Sequence, residues 1–354
     1  VRLTTAELLK NYFFSRDDLT LYKTHWRDVF EKDEEARSYW GQEIVTGRIK
    51  RTFIDLFFYS LLQILIQDST YAVRAEDKVA FSRVESLFPS YKKFIGSYMN
   101  GNKNILLEEM VKYAAVFRNK IDGSIVDKEL PKKAGIERIN VLIFALDTTT
   151  LIPYILFIEK NVQDEQQKND LYEYLESYII RRLVTRQTTK NYNQLFTERL
   201  IANRVTTKAD FIVYLEKQAD KINYMPTDSA VTEAFHTSVL TNKYAAGTIY
   251  LLESKIRNEQ MSSTQLLGIR KYSLEHLMPK KWRNHWNFNG TDEQAAERDR
   301  VLLTLGNLAI ITQSLNASIR DSEWSVKLTG KGTKEGLRKY ATGIETISKY
   351  LDYT

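Results

Sequence analysis

The 354-residue sequence contains no cysteine. Disulfides, thiolate nucleophiles and every cysteine-based zinc knuckle are excluded, and the usage fits a reducing cytosol. Proline is scarce, with Pro89, Pro131, Pro153, Pro226 and Pro279 the only five, and residues up to about 245 hold six of the fourteen glycines. Such breaker-poor stretches favour helix. No long hydrophobic run exists: the most apolar stretch, Phe53 to Ile66, is interrupted by Asp55, Ser60 and Gln63. It falls well short of the roughly 20 residues that span a bilayer. Neither sign of charge dominates, and a net charge of +6 with a pI near 9.0 favours an anionic partner without identifying it. The start, Val1-Arg2-Leu3-Thr4-Thr5-Ala6-Glu7, has neither a signal-peptide layout nor an initiating Met. The chain is therefore expected to be a piece of a longer protein.

What is present is mostly amphipathic helix. Leu8, Leu9, Tyr12 and Phe13, then Leu19, Tyr22, Trp26 and Phe30 after a turn at Ser15 to Asp18, carry the apolar spacing of one-sided helices. Arg51 to Gln67 is apolar on nearly all sides, as in a helix buried within a bundle. Ile105 to Arg118 and Asp170 to Thr185 repeat the pattern, and Lys208 to Lys221 does so more weakly. Residues 1–245 are expected to form a multi-helix domain. Residues 246–354 hold the other eight glycines and three of the five tryptophans (Trp282, Trp286, Trp324), so shorter elements and more turns are expected there. Ile269 to His276 and Leu308 to Thr312 read as strands, Asn316 to Arg320 as the start of a short helix, and Leu337, Tyr340, Ala341, Ile344, Ile347 and Leu351 as a closing helix. The fold class is thus mainly α, a helical bundle followed by a small α+β domain.

One constellation suggests chemistry. Glu275-His276 precedes Pro279, Gly306-Asn307 leads into the second strand, and Asn316 opens a helix, with Trp324 and Lys327 behind it. A Glu-His pair alone is most often a solvated surface pair; the two asparagines in register make it more. An imidazole titrates near neutral pH, so His276 suits a general base. Glu275 and Asn316 offer the hard oxygen ligands that Mg²⁺ prefers, and Lys327 is placed to neutralise a phosphate oxygen. Successive residues of a regular strand face opposite ways, so a shared metal site for Glu275 and His276 requires the strand to bend there. Lys280, Lys281 and Arg283, beside Trp282 and Trp286, form a basic and aromatic rim next to His276. From residue 265 onward there are 14 Lys and Arg against 10 Asp and Glu, a surplus of four that supports salt-sensitive backbone contact with nucleic acid. His285 is expected to pack between aromatics, His25 and His236 to be structural, and Arg181-Arg182 to be satisfied by carbonyls at a helix end.

This layout resembles that of a ββα-metal, or HNH, nuclease. Glu275-His276-Leu277-Met278-Pro279, Leu305-Gly306-Asn307-Leu308 and Asn316, with Trp324 and Lys327, resemble the nuclease domain of GmrSD-type, modification-dependent (type IV) restriction endonucleases. Those end in E/D-H-x-x-P, L-G-N-L-T and an Asn followed by an aromatic residue and Lys. Ala309 stands for the usual Thr and Trp324 for the usual Phe. The helical part is similar as well, in Leu8 to Phe13 with Leu21-Tyr22 and Trp26, and in Tyr174 to Arg182 with Thr189-Lys190. The family's N-terminal ParB-like domain, with its D-G-Q-Q-R motif, is missing. The resemblance implies a metal-dependent DNA endonuclease of a bacterial, cytoplasmic antiphage restriction system. Its implied parts are His276 as base, Asn307 bracing the loop or orienting the histidine, Glu275 and Asn316 as Mg²⁺ or Mn²⁺ ligands, and double-stranded DNA as substrate. The missing nucleotide-hydrolysing domain and a second copy of the chain are the further partners it implies. An inactive nucleic-acid-binding or partner-docking module, or an RNA nuclease, is the alternative.

Overall fold

The structure, a computed structural model, describes residues 3–46, 49–217, 222–257, 265–340 and 344–352. Val1 and Arg2, the last four residues of the expected 208–221 helix and Ala341 of the closing helix lie outside them. The fold is mainly α, and among the described residues the strands form three separate two-stranded antiparallel sheets. Among the described residues no helix is long and apolar enough to cross a membrane. The chain forms two compact units: residues 1–122, 147–171 and 189–223 make the first, and residues 123–146, 172–188 and 224–354 the second.

The first unit is built around the helix Phe53–Leu65, of whose thirteen residues eleven are buried. Thr52 starts it, its hydroxyl accepting the Asp55 N–H at 3.3 Å, and the absence of Gly and Pro lets it run. The apolar surface on every side is covered by the helices Ile152–Asn161 and Lys103–Lys120 and by an aromatic cluster. In that cluster Trp26 stacks on Phe58 with centroids 5.6 Å apart and Trp40 on Phe117 at 5.3 Å. Truncating one such ring to Ala costs about 3–5 kcal/mol. Lys23–Glu31 winds as a π-helix. Its wide turn brings Glu31 under both Tyr22 and Trp26, whose hydroxyl and indole N–H donate to the carboxylate at 2.8 Å each.

The second unit is tied by buried charge. Arg138, on the helix Ile136–Phe144, donates two 2.6 Å bonds to Glu176 and one of 2.8 Å to Ser254. Removing either charge strands the other in the core, at a cost of about 3–5 kcal/mol. Ser254 belongs to helix α1, Asn242–Ile256. Arg182, fully buried, donates to the carbonyls of Thr188 and Tyr224, and Arg181 pairs with Asp228, so this pair serves the fold. Glu253 of α1 accepts the Glu345 and Thr346 N–H groups at 2.8 Å, capping the helix Glu345–Ser348. The closing segment thus holds two short helices, Leu337–Tyr340 and Glu345–Ser348, burying Leu337, Ile344, Ile347 and Leu351.

Against α1 lies a hairpin of β1 (Tyr272–His276) and β2 (Leu308–Thr312), paired from Tyr272↔Thr312 to His276↔Leu308. Tyr250 of α1 meets Tyr272 with ring centroids 6.0 Å apart. Helix α2 (Gln313–Ile319) follows β2 directly and packs on both strands, and α3 (Trp324–Thr329) comes next. The connection between the strands is long and carries the helix Asp292–Val301, which the apolar pattern did not suggest. Its sequence signal was Thr291-Asp292-Glu293-Gln294, a capping box in which Thr291 N–H donates to Gln294 Oε1 at 3.0 Å and Gln294 N–H to Thr291 Oγ1 at 3.3 Å.

Candidate active site at the β1–β2–α2 unit

Because β1 alternates, Ser273 and Glu275 share one face while Tyr272, Leu274 and His276 take the other. Helix α2 approaches the Ser273 and Glu275 side. Asn316 there donates from Nδ2 to Ser273 Oγ at 2.9 Å and to the Leu274 carbonyl at 3.1 Å. A carbonyl only accepts, so the amide nitrogen must face it. The Asn316 Oδ1 is thereby turned away and accepts no hydrogen bond among the described residues. Ser273, which the sequence did not single out, is what anchors this amide.

Glu275 is buried, and one carboxylate oxygen forms an ion pair with Lys327 of α3. The same ammonium donates to the His276 carbonyl at 2.7 Å. Lys327 is fully buried, so its charge is turned inward, away from the surface position expected of a phosphate contact. Burial pushes the Glu275 carboxyl up and the Lys327 ammonium down in pKa, and their mutual attraction works against both shifts. The second Glu275 oxygen takes no side-chain partner among the described residues.

His276 is half-buried, and burial first, then the ammonium groups of Lys280 and Lys327, lower its pKa to about 4. The imidazole is thereby held neutral at pH 7. The expected bend between Glu275 and His276 does not occur. The ladder runs through His276↔Leu308, and Leu277 N–H then donates to the Asn307 carbonyl at 2.9 Å. The chain leaves the sheet only at Met278-Pro279. The Asn307 side chain holds this exit, accepting from Met278 N–H at 2.8 Å and donating to the carbonyls of Met278 at 2.9 Å and Leu302 at 2.8 Å. With its amide committed to backbone, Asn307 braces the loop.

The basic rim divides. Lys280 and Lys281 are exposed, with no ion pair among the described residues. Arg283 is held by Asp299 through two bonds of 2.9 and 2.8 Å and lies over the Trp282 ring at 4.4 Å. The buried Trp282 donates its indole N–H to the same Asp299 at 2.9 Å. Asp299, absent from the sequence expectations, thus spends the charge of Arg283 on the fold. His285 is exposed, and its backbone N–H closes the turn Trp282–Asn284.

Among the described residues no group of three or more His, Asp or Glu side chains is placed to hold a metal ion. The Glu275 and Asn316 oxygens without a side-chain partner are of the hard donor type that a divalent cation such as Mg²⁺ would take.

Residues 225–350, about a third of the chain and inclusive of all the residues above, match the family described as GmrSD restriction endonucleases, C-terminal domain. The chain therefore resembles the C-terminal part of those proteins over this span. No curated protein matches it.

Proposed function

We propose that the chain is the nuclease part of a restriction endonuclease, a metal-dependent HNH enzyme that hydrolyses phosphodiesters of double-stranded DNA in bacterial antiphage defence. The observation that carries this reading is His276, a neutral imidazole at the strand end, inside a segment similar to restriction endonucleases. His276 takes a proton from the attacking water as its oxygen bonds to phosphorus, and the bond to the 3′ oxygen breaks. A Mg²⁺ or Mn²⁺ ion held by Glu275 and Asn316 would supply positive charge to the phosphate and the departing oxygen. Asn307 fixes the segment after the base, Lys327 fixes its backbone, and Lys280 and Lys281 meet the DNA backbone. Supercoiled plasmid incubated with the chain and Mg²⁺ or Mn²⁺ is expected to be nicked, and His276→Ala to leave it intact. Absence of nicking by the wild type, or equal nicking by the variant, refutes the proposal.

The Glu275–Lys327 pair favours a second reading. With its carboxylate already matched to an ammonium, the unit would bind DNA or a partner without cutting it. Retardation of a DNA duplex with no metal-dependent cleavage is its signature, and the same assays on RNA separate the two nucleases.

A further inference from the structure

From the buried contact between Glu275 and Lys327 we infer that Lys327 is a built-in counter-cation, so that the site takes up its divalent metal only together with a DNA phosphate. The inference rests on the nuclease reading above and concerns how that same site is loaded.

The geometry is specific. Lys327 reaches from α3 across 52 positions of sequence to Glu275 and to the carbonyl of His276. Both side chains are removed from water, with side-chain exposures of 1% for Lys327 and 6% for Glu275. In that medium a unit charge is felt far more strongly than in bulk water. The other potential ligand, Asn316, is a neutral amide. Glu275 is thus the one anionic group of this donor set, and Lys327 already cancels it. The cations Lys280 and Lys281 stand near the same end of β1.

Cation affinity follows the number of ligand charges, and the donor set of the free protein carries a net charge of zero. The missing negative charge arrives with the scissile phosphate. Binding of metal and DNA is therefore coupled, and the coupling is reciprocal: DNA raises metal affinity by the same factor as metal raises DNA affinity. The donor set consequently stays unloaded on protein that has not engaged DNA, which restrains nonspecific hydrolysis. Lys327 acts through Glu275 and is a positioning residue.

Mn²⁺ binding followed by electron paramagnetic resonance tests this without any turnover. The wild type alone is expected to bind Mn²⁺ weakly, and a short duplex added to His276→Ala, which cannot cut it, to tighten binding by more than about tenfold. Lys327→Met, which leaves the Glu275 charge uncompensated, is expected to bind Mn²⁺ without DNA more than about tenfold more tightly than the wild type. Glu275→Gln is expected to abolish the gain from DNA. Equal Mn²⁺ affinity in wild type and Lys327→Met, or no tightening by the duplex, overturns the inference. If Lys327→Met does not fold, the duplex arm and Glu275→Gln still decide. Plasmid nicking by the wild type is scored in parallel: nicking without coupling defeats this inference alone, whereas no nicking at any Mn²⁺ concentration defeats the nuclease reading beneath it.

Discussion

Asn307 separates a bracing role from a chemical one. Its side chain makes three hydrogen bonds, one accepted from Met278 N–H at 2.8 Å and two donated to the carbonyls of Met278 and Leu302 at 2.9 and 2.8 Å. At a net value of about 1 kcal/mol each, Asn307→Ala removes about 3 kcal/mol, reduced to about 2 where water reaches the half-buried partners. The Leu277 N–H bond to the Asn307 carbonyl is backbone and survives. The damage is therefore confined to the exit of β1, two residues beyond His276. Displacing a base by about 1 Å costs on the order of a hundredfold in rate, so nicking is expected to fall by about that factor. Asn307→Asp is the sharper probe. It keeps the acceptor for Met278 N–H but turns an anionic oxygen toward two carbonyls, so it is expected to be no better than Ala in stability and in nicking. A metal-ligating or phosphate-contacting role predicts the opposite order, since a carboxylate is the stronger cation ligand. Urea unfolding read by tryptophan fluorescence, hydrogen exchange at the Leu277 and Met278 amides and plasmid nicking provide the comparison. An Asp variant as stable and as active as the wild type refutes the bracing argument.

Two other outcomes follow from the charges around the site. Because His276 has its pKa lowered from 6.5 to about 4, the imidazole stays neutral well into the acid range. The acid limb of kcat/KM for nicking should then fall near pH 4 to 5, and a limb centred at 6.5 refutes the assignment. The sign for stability is the same: between pH 6.5 and 4 the unfolded chain binds a proton that the folded chain refuses, so His276 lowers stability as pH falls through that window. The rim should divide in DNA binding as it does in the structure. Lys280→Ala with Lys281→Ala should reduce the slope of log affinity against log salt by about 2, one for each phosphate that then keeps its counterion. Arg283→Ala should change that slope little, because Asp299 already engages the guanidinium; fluorescence anisotropy across a salt series measures both.

The backbone of the site was legible in the sequence, and its electrostatics were not. The second strand was readable to the residue, Leu308 to Thr312, because a short β-branched and aliphatic run between turn residues has few other solutions. The first began at Tyr272, after a 3₁₀ turn at Ile269–Lys271. The long helices Lys103–Lys120 and Glu165–Val184 were visible for the same reason, as periodic apolar faces. The helix Asp292–Val301 buries none of its residues, so periodicity had nothing to report and only its capping box betrayed it. Strand alternation correctly set Glu275 and His276 on opposite faces, and from that a bend was expected, on the premise that both must meet one metal. The strand stays regular instead, and sequence spacing carries no information about which element supplies a counter-charge. Lys327 stands 52 residues from Glu275, yet it binds the carboxylate on one face and the carbonyl of the residue that points to the other. A straight strand thereby joins the two groups through one ammonium. Its end is fixed by tertiary contact, and so is the charge of the metal-ligand set.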